Sequence, residues 1–135
     1  MKVRIKNPDA LAAILDAKVE EYAQFILTRA SENIVKNETT DTGALLQSGT
    51  VEKTGIARRR VVYYVGYATA IEYGSDPHLP PVEALEGWVG RKLHVPEDEV
   101  RRAAWAVAKK IEKEGTEPQP FLRPAITEFK VRYGK

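Results

Sequence analysis

The stretch NPDALAAILDAKVEEYAQFILTRASENI, residues 7–34, decides the fold, because it reads as one helix too long to stand alone. Asn7 is a capping residue type, Pro8 suits the first helical position, and Asp9 suits the positive end of the helix dipole. Leu11, Leu15, Val19, Tyr22, Ile26, Ala30 and Ile34 then recur at steps of three or four. That makes one apolar stripe over about eight turns, roughly 40 Å long. A stripe of that length needs a sheet or a second helix along it. The polar residues 36–41 end it.

Working outward, the candidate partner of this helix lies just downstream, in TTDTGALLQSGTVEKTG, residues 39–55. Thr42 and Gly43 break the chain, residues 44–47 allow a helical turn, and residues 49–54 read as a strand. Thr54-Gly55 reads as a hairpin connection. In the return strand RRRVVYYVGY, residues 58–67, Val61, Tyr63, Val65 and Tyr67 share one face, and Val62, Tyr64 and Gly66 the other. Both faces are apolar or aromatic, which predicts cover on both sides: the long helix on one, and a later helix or a neighbouring subunit on the other.

Residues 68–75 read as a short strand or turn, and DPHLPP, residues 76–81, as a proline-stiffened loop. Val82, Leu85, Val89 and Leu93 predict a short amphipathic helix. Val100, Ala104, Val107 and Ile111 predict a longer one, stopped by Gly115. A last helix runs from Leu122 to about Tyr133. The fold class is therefore α+β: a small, mostly antiparallel sheet packed on a long N-terminal helix, with a helical insertion and a C-terminal helix. Residues 1–135 form a single domain, with 76–115 as the insertion.

Composition removes several function classes. With 21 basic and 19 acidic residues the net charge is +2, too balanced for the basic footprint of a dedicated nucleic-acid binder. No cysteine is present, so disulfides, thiolate catalysis and cysteine zinc sites are excluded. The opening MKVRIKNPD lacks the apolar core of a secretion signal, and no run approaches the roughly 18 residues of a membrane span. The expected setting is a cytoplasm-like compartment, with no membrane partner.

The residues with chemical potential do not form a recognisable catalytic set. His78 and His94 stand beside prolines, without HxxxH or HxH spacing, and no phosphate-cradling glycine motif or nucleophile elbow occurs. No catalytic, cofactor-binding or metal-binding residue is expected. A hydrolase or nuclease would have to use Glu72, His78 and Glu83. Arg58, Arg59 and Arg60 either blunt a sheet edge or touch phosphates. The helices over 82–114 resemble a helix-turn-helix in length, so a nucleic-acid-binding regulator is the alternative; Glu97, Asp98 and Glu99 at the second helix would repel a DNA backbone. Trp88 and Trp105 lie off their helices' apolar stripes, either capping the core margin or meeting another chain. Tyr64 is a further candidate for such an interface.

Three segments, in order, resemble the neck or tail-completion family of long-tailed phages. Thr42-Gly43-Ala44-Leu45-Leu46-Gln47-Ser48 is similar to that family's TGxLxxS after a long N-terminal helix. The segment from Tyr67 through Glu72 to Gly74, YATAIEYG, is similar to its YAxxxExG. PQPFLRPA, with Pro120, Phe121, Leu122, Arg123 and Pro124, is similar to its PxPFLRPA before a last helix. The chain departs from the family in the absence of a basic residue near Leu46 and Gln47, in Ser75 where threonine is common, and in the long 76–115 insertion. The resemblance implies a non-enzymatic virion protein of the head–tail junction, present in the host cytoplasm before assembly. It implies a homo-oligomeric ring, best guessed a hexamer, between connector and tail proteins. DNA would pass through transiently and without sequence preference, with Arg58, Arg59 and Arg60 as candidate lumen residues.

The prolines of PQPFLRPA fix φ and restrict the residues before them, making a pre-ordered elbow that anchors Phe121 and Leu122 in the core. Arg123 either bonds carbonyls or an acid such as Glu72, or faces a partner. A Glu72–Arg123 pair predicts that exchanging the two charges restores stability lost by either reversal.

Overall fold

The computed structural model describes residues 7–37 and 43–134. Helix α1, Pro8–Lys36, begins where Asn7 Oδ1 accepts the Ala10 N–H at 3.1 Å. It ends where the Asn37 N–H turns back to the Asn33 carbonyl at 2.8 Å. Its cover is uneven. Ala23, Ala30 and Ile34 are buried, whereas Leu11, Ile14 and Leu15 are exposed, so the apolar stripe outruns the elements that cover it.

A helical turn, α2 (Ala44–Gln47), leads into an antiparallel hairpin of β1 (Gly49–Gly55) and β2 (Arg58–Tyr63). The register pairs Gly49 with Tyr63, Val51 with Val61 and Lys53 with Arg59, then shifts between Lys53 and Gly55. That shift moves the connection from the expected Thr54-Gly55 to Ile56-Ala57. Ala57 takes a positive φ of 54° there, held by its N–H bond to Asp16 Oδ1 at 2.8 Å.

The hairpin lies on α1 by one face. Arg59 and Lys53 reach Asp16, and the Tyr63 hydroxyl lies 2.7 Å from Ser31 Oγ. Cover on the second face was expected and is not seen among the described residues. β2 stops at Tyr63, so Val65 and Tyr67 leave the strand. The outer face is polar: Glu52 accepts Arg60 Nη2 at 2.7 Å and the Tyr64 hydroxyl, and Tyr64 is 60% exposed. Such a charged network is stable facing water, which removes the need for a second layer.

Residues 68–73 form a helix, α3 (Ala68–Tyr73), rather than a strand or turn. Its residues join neither free edge of the two-stranded sheet; Ala68 and Ile71 pack instead on the first core of Ala30, Ile34, Leu45, Phe121 and Ala125. Helices α4 (Val82–Lys92) and α5 (Val100–Glu114) follow, with a single 3-10 turn at Glu97–Glu99 between them. Their own core is Val82, Val89, Ala104 and Ala108, where two alanines let the helices approach closely. Helix α6 (Leu122–Tyr133) returns along α1, stacking Phe129 and Tyr133 on Tyr22 at centroid distances of 5.2 and 4.8 Å.

The expected insertion has a physical neck. Ser75 and Thr116 exchange backbone hydrogen bonds of 3.0 Å in both directions, and their hydroxyls meet at 2.7 Å. Gly74 and Gly115 flank this bridge with φ of 76° and 73°, where side chains are disfavoured. A Cβ on Gly74 would stand 2.6 Å from the Thr116 carbonyl oxygen, and one on Gly115 would run into that of Ser75. Two chain segments thus cross closely enough to require glycine on both.

Candidate functional site

Among the described residues, Glu72 is the charged residue classed as buried, at 4% exposure. Helix α3 aims it at the start of α6. Oε2 accepts the N–H groups of Phe121 and Leu122 at 2.8 and 2.9 Å, and Oε1 accepts that of Arg123 at 2.8 Å. A helix leaves its first four N–H groups without intrahelical partners. Here Glu72 takes three of them, and the fourth position is Pro124, which has no N–H. The start of α6 is therefore fully satisfied by one carboxylate and one proline, and the negative charge sits at the positive end of the helix dipole.

Arg123 closes the arrangement. Its Nε donates to Glu72 Oε1 at 3.0 Å and its Nη2 to the Glu72 carbonyl at 2.6 Å, while its guanidinium stacks on Tyr73 at 4.5 Å. Burial pushes the Glu72 carboxyl up, but the three N–H groups and the guanidinium outweigh it and hold the group below its ordinary 4.5. The pair expected from the sequence is present, with one correction. Because Glu72 serves backbone donors as well as Arg123, exchanging the two charges cannot restore it: an arginine at position 72 accepts nothing.

The elbow is held from α1 too. Asn33 Nδ2 donates to the Phe121 carbonyl and Asn37 Nδ2 to the Pro120 carbonyl, each at 3.0 Å. Neither asparagine was singled out in the sequence. Their spacing of four on one helix face, together with the poor helix propensity of asparagine, was the available signal. Phe121 itself is 2% exposed and meets Tyr63 edge-on at 5.0 Å, and Leu122 packs against the same core.

The first motif closes α2. Gly43 opens that turn at φ 84°, Leu45 is buried in the first core, and Ser48 Oγ bonds the Leu45 carbonyl at 2.8 Å. Thr42 lies outside the described residues. Tyr67 caps α3 and faces a cleft; Gly74 stands at the neck.

The three arginines separate. Arg59 is withdrawn from any lumen: its side chain is 6% exposed and grips Asp16 with two bonds of 2.9 Å, with Glu20 at 3.4 Å. Those guanidinium bonds, then the Ala57 N–H, hold the Asp16 carboxyl far below the ordinary carboxylate range. Alternation along β2 explains the correction, since Arg59 points to α1 while Arg58 and Arg60 point outward. Arg60 is engaged by Glu52, and Arg58 is exposed.

Trp105 is 39% exposed on α5, whereas Trp88 packs partly into the second core and lines the cleft. This cleft, of about 470 Å³, lies between α3, α4, α5 and the segment 116–119; Tyr67, Ile71, Leu85, Val107 and Ile111 make its walls mainly apolar. Among the described residues no group of three or more His, Asp or Glu side chains is placed to hold a metal ion, and none of the helices is long and apolar enough to cross a membrane. The His78 ring Nδ1 lies 2.8 Å from the Asp76 carbonyl, and Glu72 has both oxygens committed, so the acid–histidine set considered from sequence lacks a free acid at Glu72. No family model, curated protein or solved structure matches the chain.

Proposed function

We propose that the chain is a structural subunit of the head–tail junction of a long-tailed phage or prophage, acting by ring assembly between connector and tail tube. The observation that carries this reading is the Glu72 clamp. Residues 67–74 and 118–125, two of the three segments on which the resemblance rests, meet at one buried carboxylate. Both oxygens of that carboxylate are used to fasten α3 to the start of α6, a role that fits architecture rather than turnover. A ring subunit works by geometry, so its elements must keep fixed angles, and a pre-satisfied helix start on a proline elbow provides that. The proposed ring is a hexamer. With Arg59 withdrawn, passing DNA would meet Arg58 and the half-neutralised Arg60, a weak positive charge suited to a strand that must slide.

The regulator reading is weaker, because Glu97, Asp98 and Glu99 form an exposed acidic turn at the start of α5, where a DNA-reading helix faces phosphates. Deleting the gene from its phage or prophage tests the proposal. DNA-filled heads and finished tails should accumulate separately in electron micrographs, and supplying the chain should rejoin them. Normally joined, infectious particles without the chain would overturn it.

A further inference from the structure

Residues 10–15 of α1 are apolar without interruption, and most of their surface is covered by none of the described residues. In ALAAIL, residues 10–15, all are exposed except half-buried Ala12, with Ile14 at 65%, Leu15 at 48% and Leu11 at 37%. A helix segment hydrophobic all round is a buried one, and six consecutive apolar residues of which five are exposed are not a solvated face. Helix α6 stops at Tyr133 beside Tyr22, and the hairpin tip reaches back only to Asp16. The segment projects past both.

The other end of the molecule carries the complementary shape. The apolar cleft includes Ile71, which packs on the core around Ile34 at the far end of α1. Ile14 and Ile34 are twenty residues apart on one rigid helix, about 30 Å. A chain therefore cannot fill its own cleft with its own projection. The cleft lining carries one cation, Lys92, and one acid, Glu117, and the first turn of α1 carries the acid Asp9, close before the apolar residues.

We infer that the α1 projection of one copy, led by Leu11, Ile14 and Leu15, seats in the cleft between α3, α4 and α5 of a second copy, with Asp9 against Lys92. A symmetric pairing of two projections would cover one side of each helix; a cleft between three helices meets the leading side chains on more than one side. Knob and hole at opposite ends make the contact heterologous, so it propagates to a closed ring or a filament. The inference deepens the ring reading proposed above by naming the two surfaces that meet.

Sedimentation and native mass spectrometry of the whole chain test it. The wild type should self-associate with rising concentration. Ile14→Asp, and separately Gln119→Trp on the exposed rim of the cleft, should each weaken this by about a hundredfold. Mixing the two variants should then give a one-to-one pair and stop there, because one retains an intact cleft and the other an intact projection. Ala70→Trp serves as a second cleft-filling variant, and circular dichroism confirms that each is folded. Wild type that stays monomeric to about 1 mM, undiminished assembly of either variant, or no pairing on mixing would each overturn the inference. Rings that persist in Ile14→Asp would overturn this contact and leave the ring reading standing. Particles that join normally without the gene would remove the virion role and leave the self-association result intact.

Discussion

Glu72 and Arg123 hold each other twice: the guanidinium Nε reaches the Glu72 carboxylate at 3.0 Å, and Nη2 reaches its backbone carbonyl at 2.6 Å. The same carboxylate caps three N–H groups at the start of α6. The two partners are therefore unequal. Glu72 is 5% exposed as a side chain and serves the backbone, while Arg123 is 49% exposed and serves mainly Glu72.

Unequal partners predict unequal losses. Glu72→Ala strands buried donors and should cost about 3–5 kcal/mol by urea denaturation. Arg123→Ala, relieved by solvent, should cost about 1 kcal/mol. The exchanged double variant, Glu72→Arg with Arg123→Glu, should be no more stable than Glu72→Arg alone. Rescue by exchange would show that the salt bridge, and not the backbone cap, dominates.

Stability should fall in acid, partly through this group. The Glu72 carboxyl is depressed in the folded chain, so the unfolded chain binds its proton first as pH drops. Its contribution is complete above the ordinary value of 4.5 and is lost as pH falls through the lower folded value. Asp16 and Glu52 are depressed as well and add in the same sense. In melting curves from pH 7 to pH 3, Glu72→Gln should start less stable and lose less than the wild type; parallel curves would contradict the assignment.

The neck glycines should resist substitution. Gly115→Ala forces a side chain into a positive φ and against the Ser75 carbonyl, at a cost of about 2 kcal/mol or more. Hydrogen exchange should quicken at Ser75, at Thr116 and in α4 and α5 before it changes in α1 and α6. Uniform quickening would mean that the insertion and the body unfold as one.

Asn33→Ala and Asn37→Ala should each cost about 1 kcal/mol, since each removes one side-chain bond to an elbow carbonyl. A double-mutant cycle between Asn33 and Glu72 should show coupling, because they hold the Phe121–Leu122 peptide by its carbonyl and its N–H respectively.

Arg59→Ala should lower the melting temperature, and Arg58→Ala should leave it unchanged. Equal effects would mean that the Asp16 grip on Arg59 contributes nothing.

Much of the architecture was legible in the sequence because local chemistry forces it. Asn7-Pro8-Asp9 start α1 whatever surrounds it, a period near 3.6 makes residues 8–36 helical, and Gly115 and the proline elbow stop one helix and begin another. The Glu72–Arg123 pairing was also within reach, through motif spacing. What escaped were choices that only neighbours make. Residues 68–73 carry aromatic and β-branched types, yet they became helical with Ile71 packed on the first core rather than paired to an edge of the sheet. Arg59 looks like its two neighbours on paper; strand alternation and the position of Asp16, 43 residues away, set it apart. Asn33 and Asn37 became fasteners only when the elbow came to lie across α1. Periodicity and capping act within a few residues, so one chain segment suffices to read them. Which face is covered, and which charge finds its partner, depends on segments brought together from far apart, and that the tertiary structure alone decided.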